Sequence, residues 1–349
     1  MDNFVVGFDY GCMECERIDY LDLARGFCMC IMMLFHIRGL VGCDLFLDTV
    51  LFSSFMLPPF FFISGMLFKE NQSFRVFIVN KINRLLIPFA SFYLITAVII
   101  PNVLHSCFGM YFGTVTGWKS LWAFVWPGEY PNQPLWFLWC LFLISLLFRV
   151  VNYCCTRWLH RHSNVMIAVV CVCFACLGEI GDRLFTVDVA CVFNTLRNIL
   201  FFGAGYLAKD LLINGLDQMN NRQRGLWLVA ALCVTLLYGV SFVHKCPLVE
   251  SIAFFVCGIA GSVSVILASS MIGSMPVISY IGRYSIMVVL THGLLIRACA
   301  PLSLRLNQLI GPYPTVLLIW ALMILCYMAI IPLLRLLLPH ITAQKPVLK

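Results

Sequence analysis

Long apolar runs, separated by short polar clusters, follow one another from about residue 18 to residue 338. A run of ~20 apolar residues wound as an α-helix matches the hydrocarbon thickness of a bilayer. The pattern predicts ten such spans, at about 18–41, 47–68, 85–104, 134–152, 165–180, 189–208, 226–243, 250–271, 278–298 and 314–338. Most connections are short, none is large enough to fold as a soluble insert, and no internal repeat is visible. The expected fold is therefore all-α and integral to the membrane: one domain over residues 1–349, a bundle of about ten transmembrane helices around a polar cavity. Residues 1–16 and 339–349 form its two short tails.

Certain spans carry residues that hydrocarbon does not tolerate. The stretch from Arg17 to Leu40, RIDYLDLARGFCMCIMMLFHIRGL, holds Arg25 and His36. Eleven positions at about 100° each end roughly 20° past three full turns, so the two share one helix face about 16 Å apart, with Met29 and Met32 between them. An intramembrane guanidinium costs at least ~2.5 kcal/mol and normally faces a protein interior or a watery cavity. The first helix is therefore expected to line something polar. Arg197 in the sixth span raises the same demand, and His292 in the ninth lies at a depth comparable with His36. In the second span Pro58 and Pro59 interrupt the helix ahead of Ser64-Gly65, either as a kinked packing helix with a small-residue contact or as irregular backbone beside a cavity. Lys81 and Arg84, three residues apart at the membrane surface, suit either a shared grip on one phosphate or simple anchoring. The loop at about 102–134 is rich in aromatics and glycine, fitting an interfacial belt or a cover over an outward pocket. The carboxylates Glu179, Asp182 and Asp188 are expected to be solvated.

With 62% hydrophobic and 11% charged residues and a mean hydropathy of +0.94, the composition excludes a soluble domain, which carries about 25% charged residues. The net charge of +7 is spread over loop ends, so a nucleic-acid partner is not expected. Counted by loop, fifteen Lys and Arg fall on the side of the amino terminus and six on the other, which puts both termini in the cytoplasm. The first sixteen residues lack the basic region and cleavage site of a signal peptide, so the first span is expected to remain. Most of the 18 cysteines sit in apolar segments, where cysteine packs as a small hydrophobe. Cys12 and Cys15 make one CxxC without the second pair that a structural zinc site needs, so no metal is expected.

The segments RIDYLDLARG…FH, SFMLPPFFFISGMLF, KINRLLIPF, PLWFLWCLF and IGRYSIMVVLTH resemble, in order and spacing, the membrane acyltransferase-3 family. Within it they look like the branch of fucose 4-O-acetylase-like and exopolysaccharide O-acetyltransferases. The resemblance covers residues 17 to 338 and centres on an arginine, ten residues and a histidine, matched by Arg25 and His36. Where the family has Arg-x-x-Arg, this chain has Lys81-x-x-Arg84, which keeps the charge but loses one bidentate fork. The resemblance implies an acyl-CoA donor, acetyl-CoA by preference, entering from the cytoplasm, with its phosphates on Lys81, Arg84 and Arg25 and its pantetheine arm along the Met29–Met32 face. His36 would be the general base on a sugar hydroxyl of a surface or lipid-linked glycan, since an imidazole of ordinary pKa near ~6.5 takes such a proton at neutral pH. Ser64, His292, Arg197 and Trp136 would support the substrates, in a bacterial inner membrane. The competing class is a transporter or flippase for a glycan or glycolipid, because intramembrane Arg and His with a broken helix also describe a substrate path.

Overall fold

The structure, a computed structural model, describes residues 18–348 apart from 46–47, 101–131, 160–161 and 241–242. The amino-terminal tail with Cys12 and Cys15, and nearly all of the loop expected at 102–134, lie outside those residues. All regular structure among the described residues is helical.

The first crossing is α1 (Asp19–Val41), whose 23 residues span about 34 Å. Gly42 closes it in the left-handed conformation, φ 74°, with its N–H on the Arg38 carbonyl at 2.9 Å. The end where α1 starts is called proximal here, the other distal. The chain returns through α2 (Asp48–Phe55) and α3 (Pro58–Met66), broken at Met56–Leu57. Pro58 and Pro59 begin the new helix because proline has no N–H to donate to a preceding turn. Gly65 of α3 then packs on the Phe202 carbonyl, and Gly205 on the Phe62 carbonyl, with no room for a Cβ at either place. The packing alternative for Ser64-Gly65 is thus realised at Gly65.

The third crossing starts earlier than the hydropathy implies. α4 (Phe74–Lys81), a π-helical turn at Ile82–Leu86, α5 (Ile87–Leu94) and a second π segment at Ile95–Ile99 follow without interruption. Ser73 caps this helix by accepting from the Val76 N–H at 3.4 Å. Lys81 and Arg84 therefore lie inside a helix rather than in a loop before one.

The remaining elements are α6 (Trp136–Leu159), α7 (Ser163–Leu184), α8 (Val192–Gln218), α9 (Asn221–Leu236), α10 (Pro247–Ile272), α11 (Pro276–Arg283), α12 (Ser285–Ile310) and α13 (Pro312–Leu337). Among the described residues, nine helical stretches are long and apolar enough to cross a bilayer, one fewer than the ten spans expected. The tenth, α9, has 16 residues. It nevertheless runs antiparallel to α10: Arg224 at its start bonds the Ser270 carbonyl, while the Val234 carbonyl near its end accepts from Cys257. The ninth expected span is divided, with α11 ending at Arg283 and α12 continuing to Ile310.

α1 is central, packing against α2, α3, α10, α11, α12 and α13. Gly26 meets the Ile278 carbonyl and Gly282 meets the Asp22 carbonyl, so α11 lies flush on the proximal half of α1. α3 packs on α8, α8 on α7, and α9 on α10. Met29, Met32 and Met33 are buried among these helices, so the face between Arg25 and His36 is filled by packed side chains.

Candidate active site

Five residues before the distal end of α1, the partly buried His36 ring meets His292 of α12, with centroids 5.2 Å apart and planes at 47°. Phe35 stands edge-on to His36 at 5.2 Å. His292 is fully buried, and its Nδ1 lies 2.8 Å from the Val288 carbonyl one turn earlier. A carbonyl only accepts, so Nδ1 carries the hydrogen and Nε2 keeps a free lone pair. That Nε2 is buried and has no hydrogen-bond partner among the described residues. A buried acceptor left open beside a second imidazole is unusual enough to call for an explanation.

The surroundings hold His292 in place. Asn132, buried just ahead of α6, donates through Nδ2 to the Leu290 carbonyl at 2.8 Å. Its Oδ1 is also buried without a partner among the described residues and borders Gly293, where a Cβ would come within 2.7 Å of it. Thr291 donates to the Met287 carbonyl at 2.7 Å, so its 3.2 Å contact with Tyr327 has the tyrosine as donor. Trp320 of α13 donates to the Cys30 carbonyl at 2.8 Å, tying α13 to α1. Trp136 begins α6 four residues after Asn132, partly buried with its edge on Phe137. His36 and His292 thus meet beside Asn132, a residue that no charge or periodicity in the sequence singled out, and Trp136 follows Asn132 by four residues.

Arg25 sits at the proximal end. It pairs with Asp22 at 3.4 Å, and Asp22 also lies 3.7 Å from Arg283 Nε. Asp22 is buried, so the guanidinium in the first span meets a carboxylate three residues away on the same helix. Lys81 lies 5.5 Å above the Phe77 ring, and Arg84 is exposed. Between them Asn83 is buried and grips the carboxyl-terminal tail. Its Oδ1 accepts from the Val347 and Leu348 amides at 3.0 and 2.9 Å, and its Nδ2 donates to the Leu348 carbonyl at 2.8 Å. Two further cations gather nearby: Arg149 donates to the carbonyls of Glu70 and Gln72 at 2.7 and 2.5 Å, and Lys209 pairs with the Glu70 carboxylate. Burial pushes the Glu70 carboxyl up, but the Lys209 hydrogen bond and charge, with Tyr206 and Arg149, outweigh it and leave it below the ordinary range.

Two expected supporting residues lie elsewhere. Ser64 is two residues from the proximal end of α3, whereas His36 is near the distal end of α1. Arg197, less than two turns into α8, pairs with Glu179 at 2.9 Å and Asp182 at 3.6 Å of α7, its guanidinium 4.3 Å from the Phe254 centroid. Glu179 also accepts from Arg183 and Ser251, so it is the centre of an ion-pair cluster and not the solvated carboxylate expected. Asp188 likewise accepts from the Phe193 and Asn194 amides at the start of α8.

Residues 18–335 match the model of a family described as an acyltransferase domain. No curated protein and no solved structure matches the chain.

Proposed function

Since the chain belongs to the acyltransferase-3 family and is a polytopic membrane acyltransferase, we propose that it transfers an acetyl group from cytoplasmic acetyl-CoA to a sugar hydroxyl of a surface or lipid-linked glycan. The observation that carries this reading is the pair of imidazoles, His36 and His292, in contact within an apolar bundle, one of them holding a buried unpartnered Nε2. His36, the partly exposed ring of the two, is the one a sugar hydroxyl can reach, and the shielded His292 Nε2 stands behind it as an acceptor.

In this mechanism His36 takes the proton of the acceptor hydroxyl, and the oxygen attacks the thioester carbonyl carbon. The tetrahedral intermediate then collapses, the C–S bond breaks, and the CoA thiolate takes the proton back from His36. His292 Nε2 orients the pair by accepting a hydrogen bond from His36. Asn132 keeps α12 in register, and Trp136 helps enclose the acceptor. Lys81 and Arg84 hold the donor's phosphates at the proximal end, with Arg25 directing the arm along α1. Eleven residues of helix, about 16 Å, separate Arg25 from His36, a distance that an extended pantetheine roughly covers. The buried Met29 and Met32 are flexible unbranched side chains that can yield to such an arm. The excess of Lys and Arg at the proximal end supports a cytoplasmic donor side and cytoplasmic termini.

The test is transfer of radiolabelled acetyl from acetyl-CoA to a glycan-lipid extract by purified protein. His36→Ala is expected to lower the rate by about 10²–10⁴-fold, the usual cost of losing a general base, with acetyl-CoA binding retained. Transfer by His36→Ala at the wild-type rate would overturn the mechanism.

A further inference from the structure

The turn that carries Lys81 and Arg84 also binds the carboxyl-terminal tail. Asn83 lies between the two cations in the π-helical turn Ile82–Leu86, and its buried side chain makes three hydrogen bonds, all to the main chain of Val347 and Leu348. Within the tail, the Gln344 and Lys345 amides both donate to the Pro339 carbonyl, at 2.9 and 3.0 Å. Thr342 is buried, with its hydroxyl on the Leu338 carbonyl at 2.7 Å. Residues 339–348 therefore form a strap that turns back from α13 and is pinned to the third helix beside Arg84. We infer that this strap is part of the donor's phosphate site, with Asn83 as its positioning residue and Lys345 as a further cation for the phosphates, an assignment that rests on the acyltransferase reading above.

The charges at this end call for a polyanion. Its buried or paired carboxylates are engaged elsewhere, Glu70 with Lys209 and Asp22 with Arg25 and Arg283. Among the described residues, neither Lys81 nor Arg84 pairs with a carboxylate. The strap adds to that positive charge and offsets none of it: residues 339–348, PHITAQKPVL, contain no Asp or Glu, and Lys345 is exposed. Lys345 stands two residues from Val347, so at most ~7 Å of chain separates it from the amide that Asn83 holds. From there its long side chain reaches toward a phosphate on Arg84, the residue next to Asn83. Bringing like charges together costs Coulomb energy, and uncharged hydrogen bonds contributing about 0.5–1.5 kcal/mol each hold the strap in place against it. Asparagine suits this task because it accepts from two amides and donates to a carbonyl without carrying charge, whereas an acid would neutralise the cations and a lysine could not accept. The nucleotide end of acyl-CoA, with a diphosphate and a separate monophosphate, has enough negative charge to engage all of these cations. Fixing Lys345 before the donor arrives lowers the ordering cost of binding.

Calorimetric binding of acetyl-CoA and of adenosine 3′,5′-bisphosphate to purified full-length protein in nanodiscs tests the inference. Lys345→Gln, at an exposed position, should weaken both ligands by about fivefold, the upper end of what one exposed charge pair contributes. Lys345→Arg should bind both like the wild type. Asn83→Leu should weaken both by a similar factor, and adding Lys345→Gln to it should cost nothing further, because the unpinned lysine no longer stands at the site. In transfer assays the KM for acetyl-CoA should rise in Lys345→Gln and Asn83→Leu, and the KM for the glycan acceptor should not. The inference is overturned if Lys345→Gln binds both ligands like the wild type, or if its effect persists undiminished in the Asn83→Leu background; either result leaves the acyltransferase reading standing. Wild-type protein that binds neither ligand would overturn that reading and this inference with it.

Discussion

Replacing Arg197 separates a structural anchor from a substrate-binding group. Arg197 Nε and Glu179 Oε2 are 2.9 Å apart, yet neither atom has a well-directed hydrogen bond among the described residues, so the contact is an ion pair seen off the N–H axis. Side-chain exposures of 24% and 14% make it mostly buried. A well-directed hydrogen bond to a charged group contributes about 1.5–3 kcal/mol, and the misdirected geometry places this one near the lower bound. The guanidinium 4.3 Å from the Phe254 centroid adds about 1 kcal/mol, while Asp182 at 3.6 Å and 48% exposed adds little. Arg197→Gln does not strand Glu179, which keeps Arg183 and Ser251, so the penalty for an uncompensated buried charge does not arise. The expected loss is about 2–3 kcal/mol, or a fall in Tm of about 3–4 °C for a chain of 349 residues. Glu179→Gln should cost more, about 3–5 kcal/mol, because it removes the group on which Arg183, Arg197 and Ser251 converge. A thiol-reactive dye reports the unfolding as a rise above the labelling of the exposed Cys173, Cys176, Cys233 and Cys246, since Cys28, Cys140, Cys171 and Cys191 are buried. Acetyl transfer per folded molecule should stay at the wild-type level in Arg197→Gln. A tenfold fall in transfer with unchanged Tm would refute the anchoring role and return Arg197 to the substrate path.

At the proximal end, Asn83→Leu should free the carboxyl-terminal tail. Hydrogen exchange at the Val347 and Leu348 amides, both bonded to Asn83 Oδ1, is expected to quicken by about 5–30-fold, corresponding to 1–2 kcal/mol; unchanged exchange would show that the tail is held elsewhere. The Glu70–Lys209 pair sets a pH dependence. Because the folded-state carboxyl is lowered, its stabilisation is present above the ordinary carboxylate pKa and is lost as pH falls through the folded value. The Tm difference between wild type and Glu70→Gln should therefore narrow between pH 6 and pH 3.5, and a gap constant over that range would exclude this linkage.

Hydropathy alone determined that the chain is a helical membrane protein, because burial of an apolar run in lipid depends on local composition and not on which neighbour it meets. Helix periodicity put Arg25 and His36 on one face, and span depth put His292 level with His36; the two rings do meet. The same approach failed where an outcome depended on partners far away in sequence. The third helix begins at Phe74 because Ser73 caps it and the aromatic Phe77 is buried, although Arg75 and Lys81 lower the local hydropathy. Tyr284 ends α11 within what reads as a single apolar run. Asp22 as the neighbour of Arg25 could have been found from the three-residue spacing. Asn132 against Leu290, Asn83 against Leu348 and Glu179 against Arg197 could not, since each joins separate helices or a helix and the tail. Ser64 and Arg197 look as functional as His36 when only polarity within a span is counted. Chain direction puts Ser64 at the opposite end, and helix pairing gives Arg197 its carboxylates. Polarity inside a span is a local property that sequence reveals, whereas the partner satisfying it is set by how the helices pack, which only the tertiary structure decides.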